Sequence, residues 1–365
     1  MAVVARFEVG YTQYLDPHGE VVQPLPDFAR EPRDLVPLYR NIALTRAYDA
    51  RAVALQRTGQ LGTFASSLGQ EAVGTAVGAA MRPEDVLLPT YRESGAQLLR
   101  GVSMVEMLRY WSGNEAGSDF ARAREDFPVC VTIGAHCCHA VGVARAFQIR
   151  REARVAVCTF GDGATSKGDF YEAINLAGLW KLPVVFVCVN NQWAISVPRR
   201  HQTAAETLAQ KAVAGGFEGI QVDGNDVVAV RQVMEMALEK ARSGGGPTLL
   251  EALTYRLTDH TTADDARRYR SEQEVSDHWP LEPASRLRSF LTRQGAWTKQ
   301  DEEALMQDCN QRVQAAVAEY LETPLPSPEA MFSHLYARLP ESLASQRDAA
   351  LQLVGERRKG DPGHG

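Results

Sequence analysis

The stretch that decides the fold runs from Arg154 to Asn191: RVAVCTF (154–160), GDGATSKGD (161–169), FYEAINLAGLWK (170–181), then PVVFVCV (183–189) and NN (190–191). RVAVCTF and PVVFVCV are apolar runs of strand length, and the segment between them carries apolar residues at helical spacing. Strand, glycine-rich turn, helix and strand in that order form a right-handed parallel crossover unit. Strands that are apolar on both faces need helices on both sides of their sheet. The expected class is therefore α/β, with a mostly parallel sheet covered on each face.

Outward from this unit the pattern continues. Downstream, a strand ends near Val222, a helix spans Val227 to Ala241, GGGP stops it, and TLLEAL from Thr248 reads as another strand. Helical stretches follow at Pro283–Gln294 and Asp301–Leu321, with a short one at Pro328–Arg338. Upstream, LVPLYRNIALTRAYDARAVALQRT (35–58) has helical periodicity and is stopped by Gly59, and a small-residue helix is expected from Gln70 to Ala80. Residues 112–126 are polar and glycine-containing, which predicts a long surface loop. The expected organisation is an extended N-terminal arm (1–33), an α/β domain (34–275), a C-terminal helical extension (276–354) and a flexible tail (355–365).

Two turns of the central unit carry candidate chemistry. Gly161–Gly163 and Asn190–Asn191 each follow a strand, and ligand sites in open parallel sheets lie beyond the carboxyl ends of strands. Asp162 offers a hard carboxylate and Asn191 an amide oxygen. With a backbone carbonyl and phosphate oxygens, these suit Mg2+, which prefers six oxygen ligands. The glycines flanking Asp162 allow a tight turn and leave amides free to meet a phosphate. Without the second turn, Asp162 would read as a surface residue of an ordinary bend.

Residues 161–196 resemble the thiamine diphosphate signature, which opens with GDG and closes with NN. From about Leu35 to Arg270 the chain resembles the alpha subunits of the decarboxylating first component of 2-oxo acid dehydrogenase complexes, through LGQEA, LLPTYRESG, VDGND and YRLTDHTTADDARRYR. The resemblance implies the thiamine-diphosphate-binding fold, with thiamine diphosphate and Mg2+ as cofactors. Asp162, the Asn191 side chain and the Trp193 main-chain carbonyl are then metal ligands. Tyr91 and Arg92 match the family's phosphate-binding pair, and a guanidinium fork suits phosphoryl oxygens. Gly163 and Ala164 meet the cofactor in the signature turn, and Ile133 lies near the aminopyrimidine. His260 matches the histidine at the reactive end, where an imidazole can stabilise charge or move a proton. Cys138 stands where relatives usually have proline, which predicts a different placement of the Ile133 backbone. Thr261 occupies a position that is phosphorylated in animal relatives, and no such control is expected here.

The same resemblance implies a β subunit in an α2β2 heterotetramer, which supplies the glutamate against the aminopyrimidine, and a lipoyl acyltransferase that receives the acyl group. Pyruvate is the expected substrate. Branched-chain 2-oxo acid and acetoin dehydrogenases are the alternatives, because a methylene is worth only about 1–3 kcal/mol of pocket fit. A catalytically silent structural partner is a further alternative, opposed by the intact Asp162 and Asn191.

Composition narrows the field. The 365 residues include 39 Lys and Arg against 45 Asp and Glu, net charge -6, which argues against a nucleic-acid-binding surface. No apolar run reaches the roughly 20 residues a bilayer requires, and six cysteines set in apolar stretches fit a reducing compartment, so a cytoplasmic protein is expected. His136, Cys137, Cys138 and His139 cluster, but adjacent cysteines chelate a tetrahedral zinc poorly and CxxC spacing is missing. A nicotinamide-type dinucleotide fold would need GxGxxG after its first strand, and only GDG is present.

Overall fold

The computed structural model describes residues 2–360, the last six of them as backbone alone. The central sheet is six-stranded in the order β1-β7-β8-β4-β3-β2, and every neighbouring pair is parallel. Its strands are β1 (Gly10–Thr12), β2 (Val86–Leu88), β3 (Ala156–Gly161), β4 (Val184–Asn190), β7 (Glu218–Asp223) and β8 (Thr248–Leu253); β5 (Trp193–Ala194) and β6 (Val197–Pro198) form a separate antiparallel hairpin. The α/β class expected from residues 154–191 is the class observed. In the β3–β4 register Val157 faces Val185 and Phe160 faces Cys188. β4 is buried along its whole length, as a central strand covered on both faces must be.

Helices α1 to α4 are Val36–Arg57, Glu71–Ala80, Ser94–Arg100 and Met104–Trp111, and α5 to α7 are Ala135–Arg150, Gly168–Leu179 and Val227–Arg242. The alternation of each strand sorts its side chains between two covers. Cys158, Phe160, Phe186 and Cys188 meet Cys137, Ala140 and Ala144 of α5 and Phe170, Ala173 and Ile174 of α6 in one apolar cluster. Helix α7 packs on β4, β7 and β8 and against α2. Asp226 caps α7, its carboxylate accepting from the amides of Val228 (3.0 Å) and Ala229 (3.3 Å).

The extended N-terminal arm packs on the folded domain. It adds β1 to the sheet edge beside β7, and the amides of Tyr14 and Leu15 each donate to Asp226 Oδ2 at 2.7 Å. Residues 112–126 form the expected surface loop, largely exposed, but it is pinned inward at intervals. Phe120, Ala123 and Asp126 are buried, and Asp126 accepts from Arg100 Nε at 2.8 Å and from the Leu87 amide at 2.8 Å. Composition alone hid this, because the inward residues, Gly117 among them, are spaced among polar ones and the tie is made to distant partners.

Compactness divides the chain between Ala318 and Glu319. The sequence suggested a change of character at 275/276, whereas α8 (Glu272–His278), α9 (Pro283–Arg293) and α10 (Lys299–Leu321) as far as Ala318 belong to the first unit. Buried Arg286 of α9 pairs with Asp223 at 2.6 Å, and Tyr39 of α1 donates to Glu302 of α10 at 2.9 Å. The second unit holds the end of α10, α11 (Ala330–Ser333) and α12 (Glu341–Gly360). Residues 355–360 of the expected flexible tail continue α12; residues 361–365 lie outside the described residues. Among the described residues no helix is long and apolar enough to cross a membrane.

Candidate active site

The nine residues named from the sequence, Tyr91, Arg92, Ile133, Asp162, Gly163, Ala164, Asn191, Trp193 and His260, all line one cavity of about 200 Å³. It lies beyond the carboxyl ends of β3 and β4, where a parallel sheet leaves backbone turns free to face a ligand.

One end is built on the two strands. After β3 the chain tightens into a short 3-10 turn, Asp162–Ser166, with Asp162 only 1% exposed. Burial raises the Asp162 pKa above its ordinary value. Gly163 is required by close approach: a Cβ there would stand 2.7 Å from Ala194 Cβ. After β4 the two asparagines part. Asn190 Nδ2 donates to Glu251 at 2.7 Å, away from the cavity, whereas Asn191 Nδ2 donates to Gln70 Oε1 at 2.9 Å and its Oδ1 accepts from the Trp193 amide at 3.2 Å. Gln192 (φ 73) and Ile195 (φ 55) then hold left-handed backbone, which bends the chain into the β5–β6 hairpin. The Trp193 carbonyl faces Arg256 Nη1 at 3.4 Å, a long contact that leaves acceptor capacity.

The opposite end is basic and comes from three distant segments. Buried Arg92 donates through Nη1 to the Ser66 carbonyl at 2.5 Å, through Nη2 to the His260 carbonyl, and its Nη2 lies 3.1 Å from His260 Nδ1. Arg256, also 1% exposed, donates through Nη2 to Ile195 O at 2.8 Å and Tyr269 Oη at 2.9 Å, and its Nη1 lies 3.5 Å from the same Nδ1. Among the described residues neither guanidinium has a carboxylate within ion-pair distance. Burial lowers the pKa of both, Arg92 to about 10. His260 is pushed down to about 4 by burial and then by the two arginines. It is therefore neutral at neutral pH. With Nδ1 facing guanidinium donors, its proton belongs on Nε2.

The loop bearing His260 is tied to itself. Asp264 Oδ2 accepts from the His260 amide at 2.9 Å and from Tyr269 Oη, and Arg270 donates to Thr258 O at 3.0 Å. Arg267 is instead an exposed residue paired with Asp265 at 2.9 Å. Ile133 reaches the cavity from the loop before α5, where Gly134 holds φ 81. Cys138 sits a turn into α5 with Sγ 3.4 Å from Asp169 O, and the helix runs regularly from Ala135. Its neighbours are engaged separately: Cys137 is buried in the apolar cluster, and His136 Nδ1 lies 3.0 Å from Pro89 O. Sequence reasoning passed over four residues at the site. Gln70, Thr90, Glu93 and Arg256 stood inside or beside the LGQEA, LLPTYRESG and YRLTDH stretches, and only the fold turns them inward.

A family model described as "Dehydrogenase E1 component" matches residues 39–329, and the chain belongs to that family. The pyruvate dehydrogenase E1 component subunit alpha of Staphylococcus aureus is 39% identical over 345 residues, 94% of this chain and 92% of that protein. The 3-methyl-2-oxobutanoate dehydrogenase subunit alpha of Mycobacterium tuberculosis is 42% identical over 316 residues, 85% of each. Within the family this is therefore a thiamine-diphosphate-dependent alpha subunit of a 2-oxo acid dehydrogenase.

Proposed function

We propose that this chain, with a β subunit in an α2β2 assembly, decarboxylates a 2-oxo acid on thiamine diphosphate and Mg2+ and passes the acyl group to the lipoyl domain of an acyltransferase. The observation that carries the reading is the polarity of the cavity. A buried carboxylate and an amide oxygen line one side and the buried Arg92 guanidinium, without an anionic partner among the described residues, lines the other, while Arg256 stands outside the lining and meets both the Trp193 carbonyl and His260. A magnesium diphosphate complements both ends at once.

Asp162, Asn191 Oδ1 and the Trp193 carbonyl would hold the metal. Gly163 and Ala164 would present the turn to the diphosphate, Arg92 and Tyr91 would meet its oxygens, and Ile133 would pack near the aminopyrimidine. When bound, thiamine diphosphate supplies the carbon nucleophile and the electron sink for loss of carbon dioxide. His260 serves as a neutral donor: its Nε2–H can meet negative charge that develops on the substrate oxygen, while Arg92 holds the ring through Nδ1. Pyruvate is the first reading for the substrate, on the Staphylococcus aureus relatives that align over 94% of the chain. A branched-chain 2-oxo acid is the second, on the Mycobacterium tuberculosis relative of higher identity.

The test uses the chain purified with its β subunit and an isolated lipoyl domain, with decarboxylation and acyl transfer timed separately for pyruvate and 3-methyl-2-oxobutanoate. His260→Ala should lower the slower chemical step by about a hundredfold and leave most of the thiamine diphosphate affinity. Unchanged rates for both steps remove His260 from catalysis. A strong wild-type preference for the branched acid replaces the pyruvate reading.

A further inference from the structure

Gln202 lies just past the β5–β6 hairpin, outside the residues that line the cavity, yet its side chain reaches the candidate metal ligand directly. Gln202 Nε2 donates to Asp162 Oδ2 and to the Val197 carbonyl, the latter at 3.1 Å. Both amide hydrogens are thus used on acceptors. The amide cannot be turned over, because its oxygen would then face a carboxylate and a carbonyl. Gln202 Oε1 is buried and has no hydrogen-bond partner among the described residues. The segment is fastened independently: the Gln202 amide donates to Arg199 O at 3.1 Å, the Arg199 amide donates to Gln192 O at 2.8 Å, and Ser166 Oγ donates to the Gln202 carbonyl at 3.4 Å. Gln202 is therefore anchored through its backbone to both turns that carry Asp162 and Asn191.

We infer that Gln202 is a positioning residue for the divalent cation: its Nε2, held also by the Val197 carbonyl, fixes the orientation of the Asp162 carboxylate. The inference rests on the metal reading above and adds a residue to it. Outer-shell partners of this kind set metal affinity, and their loss typically weakens it about 10–100-fold.

The test measures Mn2+ binding by electron paramagnetic resonance in the complex of this chain with its β subunit, at saturating thiamine diphosphate. The variant is Gln202→Met, which keeps length and volume but has neither donor nor strong acceptor. A Kd raised about tenfold or more, with unchanged melting temperature of the metal-free protein and unchanged affinity for inorganic pyrophosphate without metal, supports the inference. An unchanged Kd overturns it. Asp162→Ala separates the two levels. If that variant binds Mn2+ as wild type does, the metal reading itself fails; if it loses Mn2+ while Gln202→Met does not, only the inference fails. Should Gln202→Met fold poorly, Gln202→Leu serves in its place. In either variant combined with Asp162→Ala, the Gln202 substitution should cost nothing further, and an additive loss counts against the coupling.

Discussion

At one end of the cavity Asp162 and Asn191 follow β3 and β4, which are neighbours both in the chain and in the sheet. At the other, Arg92 meets a histidine 168 residues away. The first end inherits its geometry from the strand ladder and a 3-10 turn, so the spacing of Asp162 and Asn191 is set by backbone hydrogen bonds. The second depends on carbonyls and loops that hold one another. Phe64 and Thr262 exchange hydrogen bonds, the Phe64 amide to Thr262 Oγ1 at 3.0 Å and the Thr262 amide to Phe64 O at 2.9 Å, and the Leu257 amide donates to Leu68 O at 3.3 Å. Changes at the ladder-built end should therefore act on the ligand alone, while changes at the loop-built end should spread into the segments around it.

The largest expected effect is at the strand-built end. Asp162→Ala removes the charge of the proposed metal ligand and should weaken metal-dependent retention of thiamine diphosphate by more than about a hundredfold, the scale of a buried charge left without its partner. The metal-free fold should be as stable as wild type or more so, because burial disfavours the Asp162 carboxylate. Equilibrium dialysis of the cofactor at fixed Mg2+ and a melting curve check both halves. Retained affinity breaks the assignment of that end.

Arg92→Lys is next. It keeps the charge and loses the fork that now reaches Ser66 O and His260, so diphosphate affinity should fall by about 2 kcal/mol, roughly thirtyfold. The effect should also loosen residues 256–270, read as faster proteolysis there. Arg267→Lys is the control: its exposed pair with Asp265 should leave affinity unchanged. Equal responses of the two variants would mean that the guanidinium at 92 is not the anion seat.

The smallest effect concerns Glu93, which lines the cavity next to Arg92 and is pushed by burial up to about 7. A carboxyl with a raised folded pKa binds more protons folded than unfolded. Its stability contribution is complete below about 4.5, the ordinary value, and is lost as pH rises through about 7. Glu93→Gln should remove this slope, so the melting temperature of wild type should fall by a few degrees relative to the variant between those limits. A parallel pair of melting curves across the range would show that Glu93 is already ionised at its site.

The strand-built end was legible because its signals are local. Two apolar runs and two turns in one crossover unit give the parallel sheet, the crevice and the pair Asp162 and Asn191 together. The loop-built end was legible only through family resemblance, which supplied Tyr91, Arg92 and His260 without the contacts among them. Arg256 looked like a strand residue near a charged loop, and nothing in YRLTDH says that its guanidinium turns toward His260. The anchoring of the surface loop 112–126 was hidden for the same reason, since Asp126 is inward only because Arg100 and the Leu87 amide wait for it.

By itself the sequence determined the α/β class, the order of the central strands and helices, and the residue types able to bind a metal diphosphate. These follow from period-two and helical spacing, which are properties of neighbouring residues. Only the tertiary structure decided that β1 of the arm completes the sheet edge, that two guanidiniums share one imidazole, that His260 is neutral, and that Gln202 holds Asp162. Each of these depends on burial and on hydrogen bonds between segments far apart in the chain, and the pKa of a group is set by the solvent and charges that folding takes away or brings near.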